Sequence, residues 1–304
     1  MKLSVCIPVY NGASTIGPLV DEIRRELGEY DLEIILVNDA SPNDNSEAVC
    51  SRLARELKEV RFIGLRRNYG EHNAVMCALT HSTGDYAVIL DDDGQNPPSC
   101  IHALLEKAQT GVDVVYSRYP KKRHHFLRNL GSRFNNAAAS WLMDKPKNLY
   151  LSSFKVISRA VVDEIIKYKG PVPYIDGLIF RATNSAASVE VEHKVRVHGR
   201  SNYTLKKLLR LWLAMFINFS QKPLRVAMGA GLFFSVISIV LAIIFFIERI
   251  QNPDLPLGWA TLILTTLFIG SMQLIFLGLI GEYVGKIYLD INGTPQWTIK
   301  TRID

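Results

Sequence analysis

Over residues 1–117, short β-branched apolar runs alternate with longer segments whose apolar positions recur every three or four residues. The runs at 2–10, 33–38, 61–66, 86–90 and 112–117 predict strands, and 14–29, 46–57, 71–82 and 98–109 predict helices. Strands that are apolar throughout, each followed by an amphipathic helix, imply an α/β fold with a mostly parallel sheet covered on both faces. The pattern changes past residue 200. Residues 224–247 carry one charge, Arg225, and 257–281 carry none. Each stretch is long enough to cross a hydrocarbon core of about 30 Å, so together they predict a transmembrane hairpin, with a buried hairpin of a soluble protein as the alternative. The expected organisation is a domain over 1–202, an interfacial amphipathic helix over 203–222, the two spans within 223–282, and a tail over 283–304.

Charge orients this arrangement. Lys206, Lys207, Arg210, Lys222 and Arg225 flank the first span, Lys286, Lys300 and Arg302 follow the second, and the connector carries Arg249 against Glu248 and Asp254. The positive-inside rule then predicts a multi-pass protein of the inner (cytoplasmic) membrane, with the N-terminal domain and both termini in the cytosol. The first residues enter a strand directly and are interrupted by Pro8 and Asn11, unlike a secretory signal. A net charge of +6 suits a membrane surface or phosphate-bearing substrates and is too diffuse to indicate nucleic acid. Cys6, Cys50, Cys77 and Cys100 form no CxxC pair and read as buried thiols in a reducing compartment. Gly278, Gly281 and Gly285 are compatible with a close helix contact and a homo-oligomer, without establishing either.

Chemistry concentrates where the apolar run 86–90 stops at Asp91, Asp92 and Asp93, followed by Gly94, Gln95 and a Pro-Pro helix opener. In open α/β sheets, ligands occupy the crevice outside the carboxyl ends of the strands. Alternation puts Asp91 and Asp93 on one side and Asp92 on the other. Two carboxylates with the Gln95 amide nearby suit a hard divalent cation that keeps waters and binds substrate phosphates, although a bare DxD also fits an acidic loop. Two other strand-end loops, 8–12 and 37–41, offer Tyr10 to pack on a base and Asp39 to accept hydrogen bonds from a base or ribose; singly, each also reads as turn chemistry. Neither GxGxxG nor GxxxxGKS occurs, which excludes a dinucleotide dehydrogenase or P-loop enzyme.

PVYN at 8–11, VNDAS at 37–41, RNYGEHNAV at 67–75, DDDGQNPP at 91–98 and SRY at 117–119 occur in the order found in family 2 glycosyltransferases. The chain resembles the polyprenyl-phosphate branch of that family, which includes dolichyl-phosphate mannose synthase and bacterial undecaprenyl-phosphate sugar transferases. The likeness covers nearly the whole chain, including the GEYVGKIY at 281–288. It implies a GT-A fold and a nucleotide-sugar donor bound by Pro8, Tyr10, Asn11, Asp39, Asp92 and Arg200. It also implies a Mg²⁺ or Mn²⁺ ion on Asp91, Asp93 and Gln95, and Arg196 closing over the diphosphate from an R-x-x-G-x-[ST]-x-[YW] loop at 196–203. Arg118, Arg128 and Ser132 would hold the phosphate of a polyprenyl acceptor, since guanidinium groups bond phosphate bidentately. Residues 121–142 support this as a basic amphipathic helix at an anionic bilayer, or else as a solvated surface helix.

Three positions depart from the family pattern. Ser153 stands where many bacterial relatives carry an aspartate sometimes proposed as a base, Gly12 where an acidic residue is common, and Asn96 in place of an aspartate. A phosphate monoester, with a second pKa of about 6, is largely ionised at pH 7 and needs orientation more than deprotonation. The expectation is therefore a metal-dependent inverting transferase that moves sugar from a UDP- or GDP-linked donor to polyprenyl phosphate without a protein base. A processive polysaccharide synthase is the first rival, but two spans make no pore and no QxxRW motif is present. A non-catalytic membrane scaffold or flipping partner with a degenerate domain is the second.

Overall fold

Each apolar run of the N-terminal region becomes a strand: β1 (Lys2–Val9), β2 (Asp31–Asn38), β3 (Val60–Leu65), β4 (Tyr86–Ile89) and β5 (Val114–Arg118). Helices α1 (Ile16–Glu26), α2 (Ser46–Glu56), α3 (Glu71–His81) and α4 (Cys100–Gln109) lie between them in sequence. The structure, a computed structural model, describes residues 1–119, 149–191, 222–251 and 258–304. The expected helix over 121–142, the loop at 196–203 and nearly all of the interfacial segment fall outside the described residues, and with them Arg128, Ser132, Arg196 and Arg200.

Beyond β5, the chain adds β6 (Lys155–Ser158), α5 (Arg159–Ile165), α6 (Ile175–Ala182) and β7 (Ala186–Glu190). The eight strands form one sheet in the order β7-β5-β6-β4-β1-β2-β3-β8, where β8 is Ile299–Ile303. Only β6 and β8 run against the rest. The side-chain alternation of β1 shows how both faces are buried. Leu3, Val5, Ile7 and Val9 pack with Ile16 and Leu19 of α1, Leu53 of α2 and Leu104 of α4. Cys6 faces the opposite layer, with Val75 and Leu79 of α3, Val161 of α5 and Ile179 of α6. Among the cysteines, Cys6, Cys50 and Cys77 are buried free thiols, and burial pushes Cys50 and Cys77 up to about 12, which leaves them protonated and unreactive.

Strand β8 lies within the segment read as the tail. The chain returns after residue 292 to pair antiparallel with β3, Phe62 opposite Ile303 and Leu65 opposite Ile299, so Gly293–Asp304 form one compact unit with Met1–Thr204. An edge strand with an unpaired ladder invites pairing with other chains, and β8 covers that side of β3.

The second unit, Leu205–Asn292, contains α7 (Lys222–Gln251) and α8 (Trp259–Ile291). Both run past the expected spans, α8 by ten residues through EYVGKIYLDI. Ala227–Glu248 and Thr265–Ile291 are long and apolar enough to cross a membrane, and among the described residues none in either segment is buried. A soluble hairpin would bury one face; here Met228, Leu232, Leu274 and Ile291 are all at least 70% exposed. Among the described residues, a Cβ at Gly278, Gly281 or Gly285 would meet nothing within 4 Å.

Candidate active site

The order β3-β2-β1-β4 fixes where a crevice opens. From β1 the chain steps one way to β2 and β3, and then returns to place β4 on the other side, so the loops leaving β1 and β4 diverge. Those loops carry Tyr10-Asn11-Gly12 and Asp91-Asp92-Asp93. Pro8 is tolerated in a central strand because of its register. Leu90 N–H bonds Cys6 O and Asp39 N–H bonds Val9 O, so the Pro8 nitrogen faces the β4 side, past the last β1–β4 pair at Cys6 and Ile89. Pro8 is buried in the strand, whereas Tyr10 is exposed at its end.

The three aspartates, which follow β4 into a turn, each take a different partner. Asp92 turns back toward β1, and its Oδ2 accepts the Tyr10 N–H at 3.0 Å. Asp91 Oδ2 accepts the Ser153 hydroxyl at 2.5 Å, and Asp93 Oδ1 accepts the Gln95 N–H at 3.1 Å, across a turn in which Gly94 adopts φ 67°. Surrounding protein, together with the charges of Asp91 and Asp93, pushes the Asp92 carboxyl up to about 7 against the Tyr10 N–H. The donor set for a cation is all oxygen, and among the described residues no three His, Cys, Asp or Glu side chains form a metal cage by themselves. That chemistry fits a hard divalent ion bound through one or two carboxylates and completed by substrate phosphates and water.

Gly12 explains one departure from the family pattern. A Cβ there would collide with the Asp92 carboxylate oxygen and sit 3.0 Å from its Cγ and 3.3 Å from Val9 Cγ1. An acidic side chain at this position is therefore incompatible with the Asp92–Tyr10 brace. Gly12→Ala is expected to displace Asp92 and weaken donor binding by about tenfold while the fold persists, as read by nucleotide titration and circular dichroism. Unchanged affinity would count against a role for this brace.

Side chains also satisfy the rest of the β1 loop. Asn11 N–H goes to Ser41 Oγ at 3.0 Å, Gly12 N–H to Ser46 Oγ at 2.9 Å and Ala13 N–H to Asp44 Oδ2 at 2.9 Å, while Asn11 Oδ1 accepts the Asn43 N–H at 3.3 Å. With Tyr10, four consecutive amides are taken, so this loop is no phosphate-cradling nest. Sequence reading missed Ser41, Asp44 and Ser46, because Asn, Asp and Ser in a loop carry no partner information. Asn11 and Ala40 hold φ of 57° and 50°, and a left-handed alanine stores about 1–2 kcal/mol of strain at the crevice rim.

Asp39, the candidate acceptor for a base or ribose, is buried. It is 3% exposed, and its two oxygens accept Tyr69 N–H at 2.7 Å and Gly70 N–H at 2.8 Å. Burial outweighs these two donors and holds the carboxyl above its ordinary range. Asp39 thus clamps the β3–α3 loop, and any ligand hydrogen bond uses its remaining lone pairs.

On the β5 side, Arg118 stands exposed at the same sheet edge, its carbonyl taken by Val191 N–H. Next to it, Ser117 Oγ donates to Ser152 Oγ at 2.7 Å, and Tyr119 OH donates to Asn96 Oδ1 at 2.5 Å. Asn96 is 4% exposed, so it ties the Asp91–Asp93 loop to β5 instead of reaching for a ligand. Beneath lies a cluster that sequence reading missed. Lys155, 3% exposed, pairs with Asp176, which accepts Tyr116 OH at 3.0 Å, and Lys155 Nζ sits 4.9 Å from the Tyr116 ring centroid. A single lysine heading a four-residue strand gave no sign of it.

Residues 4–166 match the glycosyl transferase family 2 domain, and residues 222–287 match the GtrB C-terminal hairpin. The bactoprenol glucosyl transferase of Shigella phage SfX is 31% identical over 99% of this chain and 100% of its own length. The undecaprenyl-phosphate 4-deoxy-4-formamido-L-arabinose transferase of Enterobacter sp. (strain 638) is 30% identical over 98% of this chain and 93% of its own. Among solved structures, glucosyl-3-phosphoglycerate synthase from Mycobacterium tuberculosis, in complex with Mn²⁺ and UDP-glucose, superposes with a TM-score of 0.52 at 22% identity, covering 71% of this chain and 77% of that one. That likeness carries the fold and no more. From the family 2 match, the full-length relatives and the two exposed apolar helices, the chain belongs to glycosyl transferase family 2 and bears the GtrB-type C-terminal hairpin.

Proposed function

We propose that the protein is a membrane-anchored inverting transferase that moves a sugar from a UDP- or GDP-linked donor to polyprenyl phosphate at the cytosolic face of the inner membrane. One observation carries the reading: Asp91 and Asp93 directly follow the carboxyl end of β4, where the strand order reverses beside β1, within a chain similar along its length to a bactoprenol glucosyl transferase. Tyr10, Asn11 and Asp39 would line the nucleoside end, with Asp92 acting through the Tyr10 backbone. Asp91, Asp93 and Gln95 would hold Mg²⁺ or Mn²⁺, which supplies Lewis-acid stabilisation of the departing diphosphate when bound. Arg196 and Arg200 would add cationic charge to that leaving group. Arg118, with Arg128 and Ser132, would grip the acceptor phosphate.

An oxygen of the polyprenyl phosphate then attacks the anomeric carbon as the bond to the nucleoside diphosphate breaks in line behind it, inverting the centre. The Ser153 hydroxyl donates to Asp91 and so serves to orient that carboxylate, in keeping with a reaction that needs no protein base. Incubating the purified full chain with radiolabelled UDP- and GDP-sugars, undecaprenyl phosphate and Mg²⁺ or Mn²⁺ is expected to move label into the lipid phase. A correctly folded protein that labels no lipid from any donor would refute the proposal.

A further inference from the structure

The segment that follows the hairpin reaches the candidate donor site. Thr298 Oγ1 shares a hydrogen bond of 2.6 Å with the Tyr69 hydroxyl, and Thr298 O accepts the Arg66 N–H at 2.9 Å. Tyr69 is also one of the two residues whose amides bind Asp39, and the Arg67 guanidinium lies 4.6 Å from its ring centroid. Thr298 is itself anchored on both sides. Gln296, 7% exposed, donates to Gly170 O at 2.9 Å, Trp297 and Ile299 pack on the α3 layer, and β8 pairs with β3. A chain of short contacts therefore runs from Thr298, just before β8, through one tyrosine, to the carboxylate following β2.

The geometry points to Thr298 as a positioning residue for the donor: by holding the Tyr69 ring it fixes the Tyr69 and Gly70 amides, and through them the orientation of Asp39 toward the nucleoside. This rests on the donor role proposed for Asp39. The 293–304 segment thereby completes the donor end of the catalytic domain from beyond the hairpin. Each half of the relay is specific. Tyr69 reaches Thr298 with its side chain and Asp39 with its backbone, so releasing the ring frees the loop without touching the carboxylate.

The test is steady-state kinetics of the full chain with whichever UDP- or GDP-sugar labels lipid best as donor and undecaprenyl phosphate as acceptor, comparing wild type, Thr298→Val, Thr298→Ser, Tyr69→Phe and the Thr298→Val, Tyr69→Phe double variant. Losing one hydrogen bond in the relay is expected to raise donor KM about fivefold in Thr298→Val and in Tyr69→Phe, with kcat and acceptor KM within about twofold of wild type. Serine keeps the hydroxyl and should restore donor KM. The double variant should be no worse than either single one, because both remove the same contact. Tyr69→Phe keeps the question open to refutation if Thr298→Val folds poorly. A lowered unfolding midpoint with unchanged donor KM in both single variants, or additive effects in the double one, would overturn the inference and leave the proposed function standing. A wild type inert with every UDP- and GDP-sugar would overturn both.

Discussion

Replacing Asp93 by asparagine is expected to lower sugar transfer by about 10²–10³-fold or more, and replacing it by alanine to abolish transfer. The two substitutions separate charge from architecture. Asp93 Oδ1 accepts the Gln95 N–H at 3.1 Å across the Gly94 turn, and an asparagine oxygen can accept the same bond. The loop should then keep its shape in Asp93→Asn while losing the negative charge that a divalent ion needs. Alanine removes both. Transfer of label into lipid measures the loss, and a calorimetric Mn²⁺ titration with UDP or GDP present should show weakened metal binding in Asp93→Asn. Full activity in Asp93→Asn would remove the charge from the mechanism, and full activity in Asp93→Ala would remove the residue. The neighbouring Asp92 should behave differently. It bonds the Tyr10 amide and lies against Gly12, so under the proposed function its loss should appear first as weakened donor binding.

The first five strands and the four helices between them were readable from pattern alone. Period-two and helical patterns are local, and in this half of the chain local preference and tertiary burial agree. The readings that changed all depend on contacts distant in sequence. Strand β6 is four residues long and wedges antiparallel between β4 and β5, and nothing in KVIS announces that partner. Strand β8 alternates apolar and polar residues clearly enough, but its partner lies well over two hundred residues earlier, beyond both apolar helices. Asp39 shows the same limit at the level of a side chain. Its position at a strand end was legible, while the commitment of both oxygens to Tyr69 and Gly70 was not. Gly12 runs the other way: it departs from the acidic residue common at that position, and a Cβ there would crowd the Asp92 carboxylate.

Glu33→Ala is expected to cost the catalytic domain about 2–4 kcal/mol while leaving donor KM of the folded protein unchanged. Glu33 points from β2 into the amino-terminal end of the sheet, opposite the crevice, and is 4% exposed. Its Oε1 accepts the Ser4 hydroxyl and the Thr83 N–H at 2.5 Å, and its Oε2 accepts the Thr83 hydroxyl at 3.0 Å. Ser4 Oγ in turn accepts the Gly84 N–H at 2.8 Å, so one carboxylate ties β1 and β2 to the turn before β4. Arg61, 3.0 Å away, and Lys2, 3.8 Å away, are each about one-third exposed. Water can resolvate them after the substitution, so most of the cost falls on the buried hydroxyl and amide donors left unpaired. Burial by itself would push the Glu33 carboxyl up, but the bonds from Ser4 and Thr83 and the charge of Lys2 outweigh it and hold the carboxyl below its ordinary value. Its stabilisation is therefore complete above the unfolded-state pKa of about 4.3 and is lost as pH falls through the lower folded value. Urea denaturation of the two proteins should show a constant gap between pH 6 and 8 that narrows only under more acidic conditions. A gap that instead widens on acidification would mean that the native state protonates Glu33 more readily than the unfolded chain does, reversing the assignment.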